Sequence, residues 1–115
     1  MAHGSHDALV STRATAQYWD RIRNTMGAAK VDSFARYYEI PGYGHAVSSV
    51  FNASWDSLTT LENWVEKGTT PPQQLVSDTA GVPGRTRPLC DYPAWAKYKG
   101  VGDINSAPSF TCTTQ

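Results

Sequence analysis

The segment Phe34–Ile40 alternates in character, is rich in aromatic residues, and then meets Pro41-Gly42-Tyr43-Gly44, through which a strand cannot continue. It is the one clear strand in a chain of 115 residues, and that restricts the fold more than any other feature. Upstream, Trp19, Ile22 and Met26 recur at spacings of three and four, which predicts a helix over Ser11–Met26, with Ser11 or Thr12 to cap it and Gly27 to stop it. Downstream, Leu58, Leu61 and Val65 share a face flanked by Trp64, which predicts a helix over Trp55–Lys67. Ser54 is placed to cap this second helix, and Gly68 followed by Pro71 ends it. Gln74–Ser77 is a short strand candidate. From Ala80 onward, glycine and proline are frequent enough to predict a tail that is mostly loop. Helix, strand, loop, helix is half of an α/β layer unit, and one clear strand with two doubtful ones completes no sheet. Open strand edges and four tryptophans lead us to expect a body that packs against something larger.

Charge and composition narrow the partners. Lysine plus arginine equals aspartate plus glutamate at 10 each, so no basic field exists to hold phosphate backbones, and nucleic acid is not expected as a partner. No apolar run approaches the roughly 20 residues that cross a bilayer, and no helix carries a dense basic face, so membrane association is not expected either. The first residues lack the basic, apolar and small-residue succession of a secretory signal, so export is not expected to be encoded within this stretch. Cys90 and Cys112 have neither metal-clip nor C-x-x-C spacing, which leaves a structural disulfide or two buried thiols. Leu89, Tyr92, Trp95, Tyr98 and Phe110 make the tail too apolar for a disordered segment. A Cys90–Cys112 bridge would pin it at a gain of about 3 kcal/mol in the chain-entropy model.

Two places carry the residue types of acid–base chemistry. His45 stands just past the strand end in Gly42-Tyr43-Gly44-His45, where open α/β sheets place catalytic side chains; a hydrogen-bonded loop histidine is the plainer alternative. Asp7 stands between a glycine-bearing turn and a helix start in His3-Gly4-Ser5-His6-Asp7, where an acidic residue also serves the helix N-terminus electrostatically. In acyl-transfer triads a histidine takes the serine proton while a carboxylate fixes its tautomer, so Asp7 followed by His45 is half of such machinery. In α/β-hydrolase folds the chain order is serine, then acid, then histidine, which these two keep if the serine lies upstream. No G-x-S-x-G occurs here. A metal cluster of His3, His6 and Asp7 is disfavoured, because histidines three apart share a face only on a helix and this stretch reads as loop or strand end. Asn52-Ala53-Ser54 is a glycosylation sequon that matters only in a eukaryotic secretory setting.

The order of these pieces resembles the closing third of the tannase and feruloyl esterase family. His3-Gly4-Ser5-His6-Asp7-Ala8-Leu9-Val10 comes first, then Tyr18-Trp19-Asp20-Arg21-Ile22, then Tyr38-Glu39-Ile40-Pro41-Gly42-Tyr43-Gly44-His45. Leu61-Glu62-Asn63-Trp64-Val65-Glu66-Lys67-Gly68 continues the match, as do Arg87-Pro88-Leu89-Cys90-Asp91-Tyr92-Pro93, Tyr98-Lys99-Gly100 and Phe110-Thr111-Cys112. The resemblance implies the C-terminal part of an α/β-hydrolase catalytic domain over residues 1–115, with an incomplete sheet. It implies Asp7 as triad carboxylate, His45 as general base, and Cys90 with Cys112 as a disulfide. It also implies a secreted serine esterase for aromatic-acid esters, of feruloyl or galloyl type, that needs no cofactor and no metal. The family commonly places a cysteine after the catalytic histidine, bridged to one beside the serine; Ala46 stands there in this chain, so that tether is absent.

Two functions follow as expectations. In the first, the chain supplies Asp7 and His45 to a serine carried by the missing N-terminal part of the fold or by a companion chain, and is inert by itself. In the second, it is a non-catalytic module that binds a partner through an exposed apolar face.

Overall fold

The computed structural model describes residues 1–114. Strand β1 (Ala2–Gly4) opens the chain and helix α1 spans Thr12–Met26. Ser11 is its cap: the Ala14 N–H donates to the Ser11 hydroxyl at 3.3 Å, the role that its position before the apolar repeat predicts. A five-residue helix α2 (Ala28–Asp32) follows, too short to leave a periodic signal in the sequence. Strand β2 is Tyr38–Ile40, shorter than the predicted Phe34–Ile40. The reason is local, because the amides of Phe34 and Ala35 donate back to the Val31 carbonyl (3.1 and 2.9 Å) and finish the turn out of α2. β1, in addition, has three residues to offer it.

Strand β3 (Ala53–Ser54) precedes helix α3 (Ser57–Lys67). The predicted cap and start are corrected here. Ser54 is spent pairing with Ser77, and Asp56 caps instead, its carboxylate accepting from the Thr59 N–H at 3.1 Å, so α3 begins two residues later than predicted. Its C-terminus closes as a Schellman turn around Gly68, with Gly68 N–H to Trp64 O and Thr69 N–H to Asn63 O. Strand β4 (Gln74–Asp78) bears out the short strand candidate and runs one residue further.

The tail is mostly loop, as expected, but it also holds three strands that local composition does not predict, β5 (Thr86–Leu89), β6 (Trp95–Tyr98) and β7 (Phe110–Thr113), with a 3₁₀ turn at Ala107–Ser109. Pro88 inside β5, Pro93 just before β6 and Gly100 and Gly102 just after it hide these strands from a reading of local composition. They exist because partners supply the ladders, β4 for β5 and β7 for β6.

The result is a mixed α/β architecture with small sheets. β1 and β2 pair in parallel, with α1 and α2 as the crossover; β3, β4 and β5 form an antiparallel sheet; β6 and β7 form an antiparallel pair. β2 is covered on both faces, as parallel strands usually are. Tyr37 packs with Ala16, Trp19 and Val31 of α1 and α2, while Tyr38 and Ile40 pack with Phe51, Val76 and Leu89. Burying each large apolar side chain stabilises by about 1.5–3 kcal/mol. Of the four tryptophans, Trp19 is buried, Trp55 and Trp64 are half-buried, and Trp95 is exposed. α3 is the exception to ordinary packing. None of its residues is buried, and Leu58, Leu61 and Val65, the apolar face that the sequence predicts, are all exposed. It is held through Trp64 under the Arg36 guanidinium (5.0 Å to the ring centre) and Thr60, which donates to Gln74 at 2.9 Å.

Two devices organise the second half of the chain. Asp78, 1% exposed, accepts from the N–H groups of Asn52, Ala80, Gly81 and Val82 and from Arg85 Nη2, knotting the β4–β5 turn to the segment before β3. Burial pushes its pKa up, but the Val82, Ala80 and Asn52 amides and the Arg85 guanidinium outweigh this and hold it below the usual carboxylate range. Cys90 and Cys112 form the disulfide, with Cα atoms 5.5 Å apart, and it ties the β6–β7 pair to the end of β5.

Two predictions follow from these devices. Replacing both cysteines by alanine is expected to lower stability by about 3 kcal/mol, read from denaturant midpoints. Because the folded-state pKa of Asp78 is depressed, its contribution is present above its unfolded value of 3.8 and is lost as pH falls below it. A midpoint series in acid is therefore expected to decline below about pH 4, and Asp78→Asn is expected to flatten that decline while lowering stability at neutral pH.

Candidate active site

The site lies past the C-terminal ends of the parallel strands β1 and β2. Ladder hydrogen bonds continue beyond the strands and zip their two loops together: Ser5 N–H to Ile40 O and His6 N–H to Tyr43 O, both 3.0 Å, with Gly42 N–H to Ser5 Oγ at 3.0 Å. Gly4 makes this approach possible, because a Cβ there would sit 2.1 Å from the Tyr43 carbonyl oxygen and 2.6 Å from that of Gly44. Gly42 takes φ 75°, the left-handed conformation the turn out of β2 requires. Beyond it, the Tyr43 hydroxyl donates to the Ala46 carbonyl at 2.6 Å and closes the loop around His45.

Asp7 and His45, 38 residues apart in sequence, meet here: His45 Nδ1 lies 2.9 Å from Asp7 Oδ2. The other carboxylate oxygen, Oδ1, accepts from the Leu9 and Val10 N–H groups, each at 2.8 Å. The Asp7 side chain is 4% exposed and that of His45 50% exposed. The Val10 N–H, joined by His45 and the Leu9 N–H, holds the Asp7 carboxyl below the usual carboxylate range against the opposing effect of its burial. An ionised carboxylate accepts only, so the proton between them belongs to His45 Nδ1, and in the neutral imidazole Nε2 is then the bare nitrogen. A cleft of about 340 Å³ adjoins the pair, lined among others by His3, Val10, Tyr43, His45 and Trp55.

The remaining sequence candidates are placed differently. His6 is exposed and bonds Ser5 Oγ at 3.0 Å, turned away from Asp7. His3, considered in the sequence as a metal ligand beside His6, bonds Asp7 Oδ2 instead, through Nε2 at 3.0 Å. Among the described residues no group of three His, Cys, Asp or Glu side chains is arranged to hold a metal ion. Nearby serine hydroxyls are engaged elsewhere, Ser48 with the Gly42 carbonyl and Ser5 with Gly42 N–H. The Asn52 amide, the sequon position, is engaged at both ends, accepting from Ser48 N–H and donating to Thr79 Oγ1. Sequence reasoning missed His3 as a partner of Asp7. Its signal was the four-residue spacing, which on a turn between a strand and a helix folds one side chain back on the other.

The parallel strand pair thus presents a carboxylate–imidazole couple past its C-terminal ends. The model of the family described as tannase and feruloyl esterase matches residues 1–113. This chain belongs to that family. It is 42% identical over 111 residues to an uncharacterised esterase of Agrobacterium fabrum, covering 95% of this chain and 20% of that protein. It is 42% identical over 116 residues to the mono(2-hydroxyethyl) terephthalate hydrolase of Piscinibacter sakaiensis, covering 96% of this chain and 19% of that one. The crystal structure of feruloyl esterase B from Aspergillus oryzae superposes with a TM-score of 0.83 at 23% identity, over 97% of this chain and 26% of that chain, a likeness of fold. The chain thus spans about a fifth of the length of these curated relatives.

Gly4→Ala is expected to push the Tyr43–Gly44 segment away from β1 and cost about 1–3 kcal/mol, measured by denaturant unfolding.

Proposed function

We propose that this chain is the C-terminal portion of an α/β-hydrolase catalytic domain and supplies the acid and the base, Asp7 and His45, of a serine carboxylic-ester hydrolase for aromatic-acid esters. The observation that carries this is the 2.9 Å contact of His45 Nδ1 with an Asp7 carboxylate already held by two backbone amides. The serine, with the lid and oxyanion donors, comes from polypeptide preceding this segment, in the order serine, acid, histidine. An apolar groove of about 470 Å³ between α3 and the β1–β2 pair, lined by Phe34, Tyr38, Trp55, Leu58, Leu61 and Trp64, supports that view, since such a surface is normally covered.

Bare Nε2 of His45 takes the serine proton as the hydroxyl attacks the ester carbonyl; Asp7 stabilises the imidazolium without itself becoming protonated. His45 then returns the proton to the leaving alcohol. Water, activated by the same imidazole, releases the aromatic acid from the acyl-enzyme. The family description and the terephthalate-ester relative support an aromatic acyl group. The disulfide supports an oxidising, secreted setting.

The test is hydrolysis of methyl ferulate and methyl gallate by the full-length enzyme. Asp7→Asn is expected to lower kcat about 10⁴-fold, since the wrong histidine tautomer is then favoured, and His45→Ala at least as much. The segment alone is expected to turn over neither ester. Turnover surviving His45→Ala would sink the assignment and leave a non-catalytic module, which the uncovered face of α3 would serve as a docking surface.

A further inference from the structure

Asp7 Oδ2 receives a second imidazole. His3 Nε2 lies 3.0 Å from the same oxygen that takes His45 Nδ1, and His3 Nδ1 lies 2.7 Å from the Thr15 hydroxyl in the first turns of α1. With the Leu9 and Val10 amides on Oδ1, the carboxylate has a donor for each of its roughly four acceptor sites. Since Asp7 only accepts, Nε2 of His3 carries the proton; its Nδ1 is then bare in the neutral ring, and Thr15 Oγ1–H donates to it. Asp7 thereby selects the tautomer of His3 as it selects that of His45, and the Thr15 hydroxyl completes the arrangement by donating to the nitrogen left bare. The His3 side chain is 11% exposed, and β1 places it opposite Glu39 of β2. The charged groups around it are thus Asp7, Glu39, whose carboxylate takes the Tyr37 hydroxyl, and His45 beyond Asp7; the α1 side chain that reaches it is Thr15.

We infer that His3 is a positioning residue of the catalytic machinery, acting through Asp7 in a Thr15–His3–Asp7–His45 relay. The inference rests on the esterase assignment above. Two effects follow from the geometry. The donor on Oδ2 stops the carboxylate from swinging off His45, and it draws on the same lone-pair density that holds the His45 imidazolium. His3 therefore limits how strongly Asp7 retains a proton on His45, which lets the base release it to the leaving alcohol.

The experiment measures kcat, KM and the pH profile of kcat/KM for methyl ferulate hydrolysis by the full-length enzyme. His3→Leu is expected to lower kcat on the order of tenfold with KM little changed. It is also expected to move the acid limb of the profile upward by about half a pH unit, because Asp7 then pulls on His45 alone. His3→Gln, whose amide nitrogen can stand where Nε2 stood, is expected to restore both. Thr15→Val keeps the shape of the side chain and removes the donor to Nδ1, so it is expected to shift the limb in the same direction by less. Loss of kcat or of thermal stability with an unmoved limb in His3→Leu, or a failure of His3→Gln to restore it, would overturn the relay. Should His3→Leu not fold, Thr15→Val decides alone, and an unmoved limb there overturns it. His45→Ala run in parallel separates the two claims: full activity in that variant refutes the esterase assignment itself, whereas an inactive His45→Ala with a silent His3→Leu refutes the relay alone.

Discussion

Three residues of parallel pairing, Ala2 to Gly4 against Tyr38 to Ile40, decide the position of nearly everything that matters in this chain. A parallel pair needs a crossover, and α1 with α2 provides it, so the two loops that follow the strands emerge side by side at the same end. Hydrogen bonds from Ser5, His6 and Gly42 then extend the pairing past the strands, and Asp7 and His45 are delivered to each other at bonding distance. Without the close approach at Gly4 the loops would diverge and His45 would lose Asp7.

Rigidity behind the site has separate sources on its two sides. Toward α1, Tyr37 stacks against Trp19 and Tyr92, with ring centres 5.8 and 5.1 Å away, and this fixes β2 against the crossover helix. Toward the antiparallel sheet, Ile40 and Tyr38 meet Phe51, Val76 and Leu89, and the buried Asp78 knot holds the segment around Phe51 in place. The Cys90–Cys112 bond acts further out, on strands too short to hold by pairing alone. The apolar ridge of α3 stays outside this economy. A helix whose predicted core face is solvent-exposed while its caps are well formed is locally specified and globally uncovered.

Helix periodicity was legible wherever it ran for three turns or more. Trp19 and Ile22 marked α1, and Leu58, Leu61 and Val65 marked α3 in type, though not in burial. Strand content was not legible, for a physical reason: β1, β5, β6 and β7 are three or four residues long, and what makes them strands is a partner, 36 residues away for Ala2 and 18 for Trp95. The cap of α3 was misplaced because Ser54 and Asp56 both have the right chemistry, and only the pairing of Ser54 with Ser77 removes the first from contention.

By itself the sequence determined the two long helices, the strand that stops before Gly42, and the residue types of an acid–base couple at Asp7 and His45, because these rest on local pattern and side-chain chemistry. The tertiary structure alone decided that Asp7 and His45 touch, that His3 and Thr15 stand behind them while His6 does not, and that the face of α3 is left open. Contacts between residues distant in sequence depend on which backbone groups find partners across the fold, and no local pattern in the chain encodes that choice.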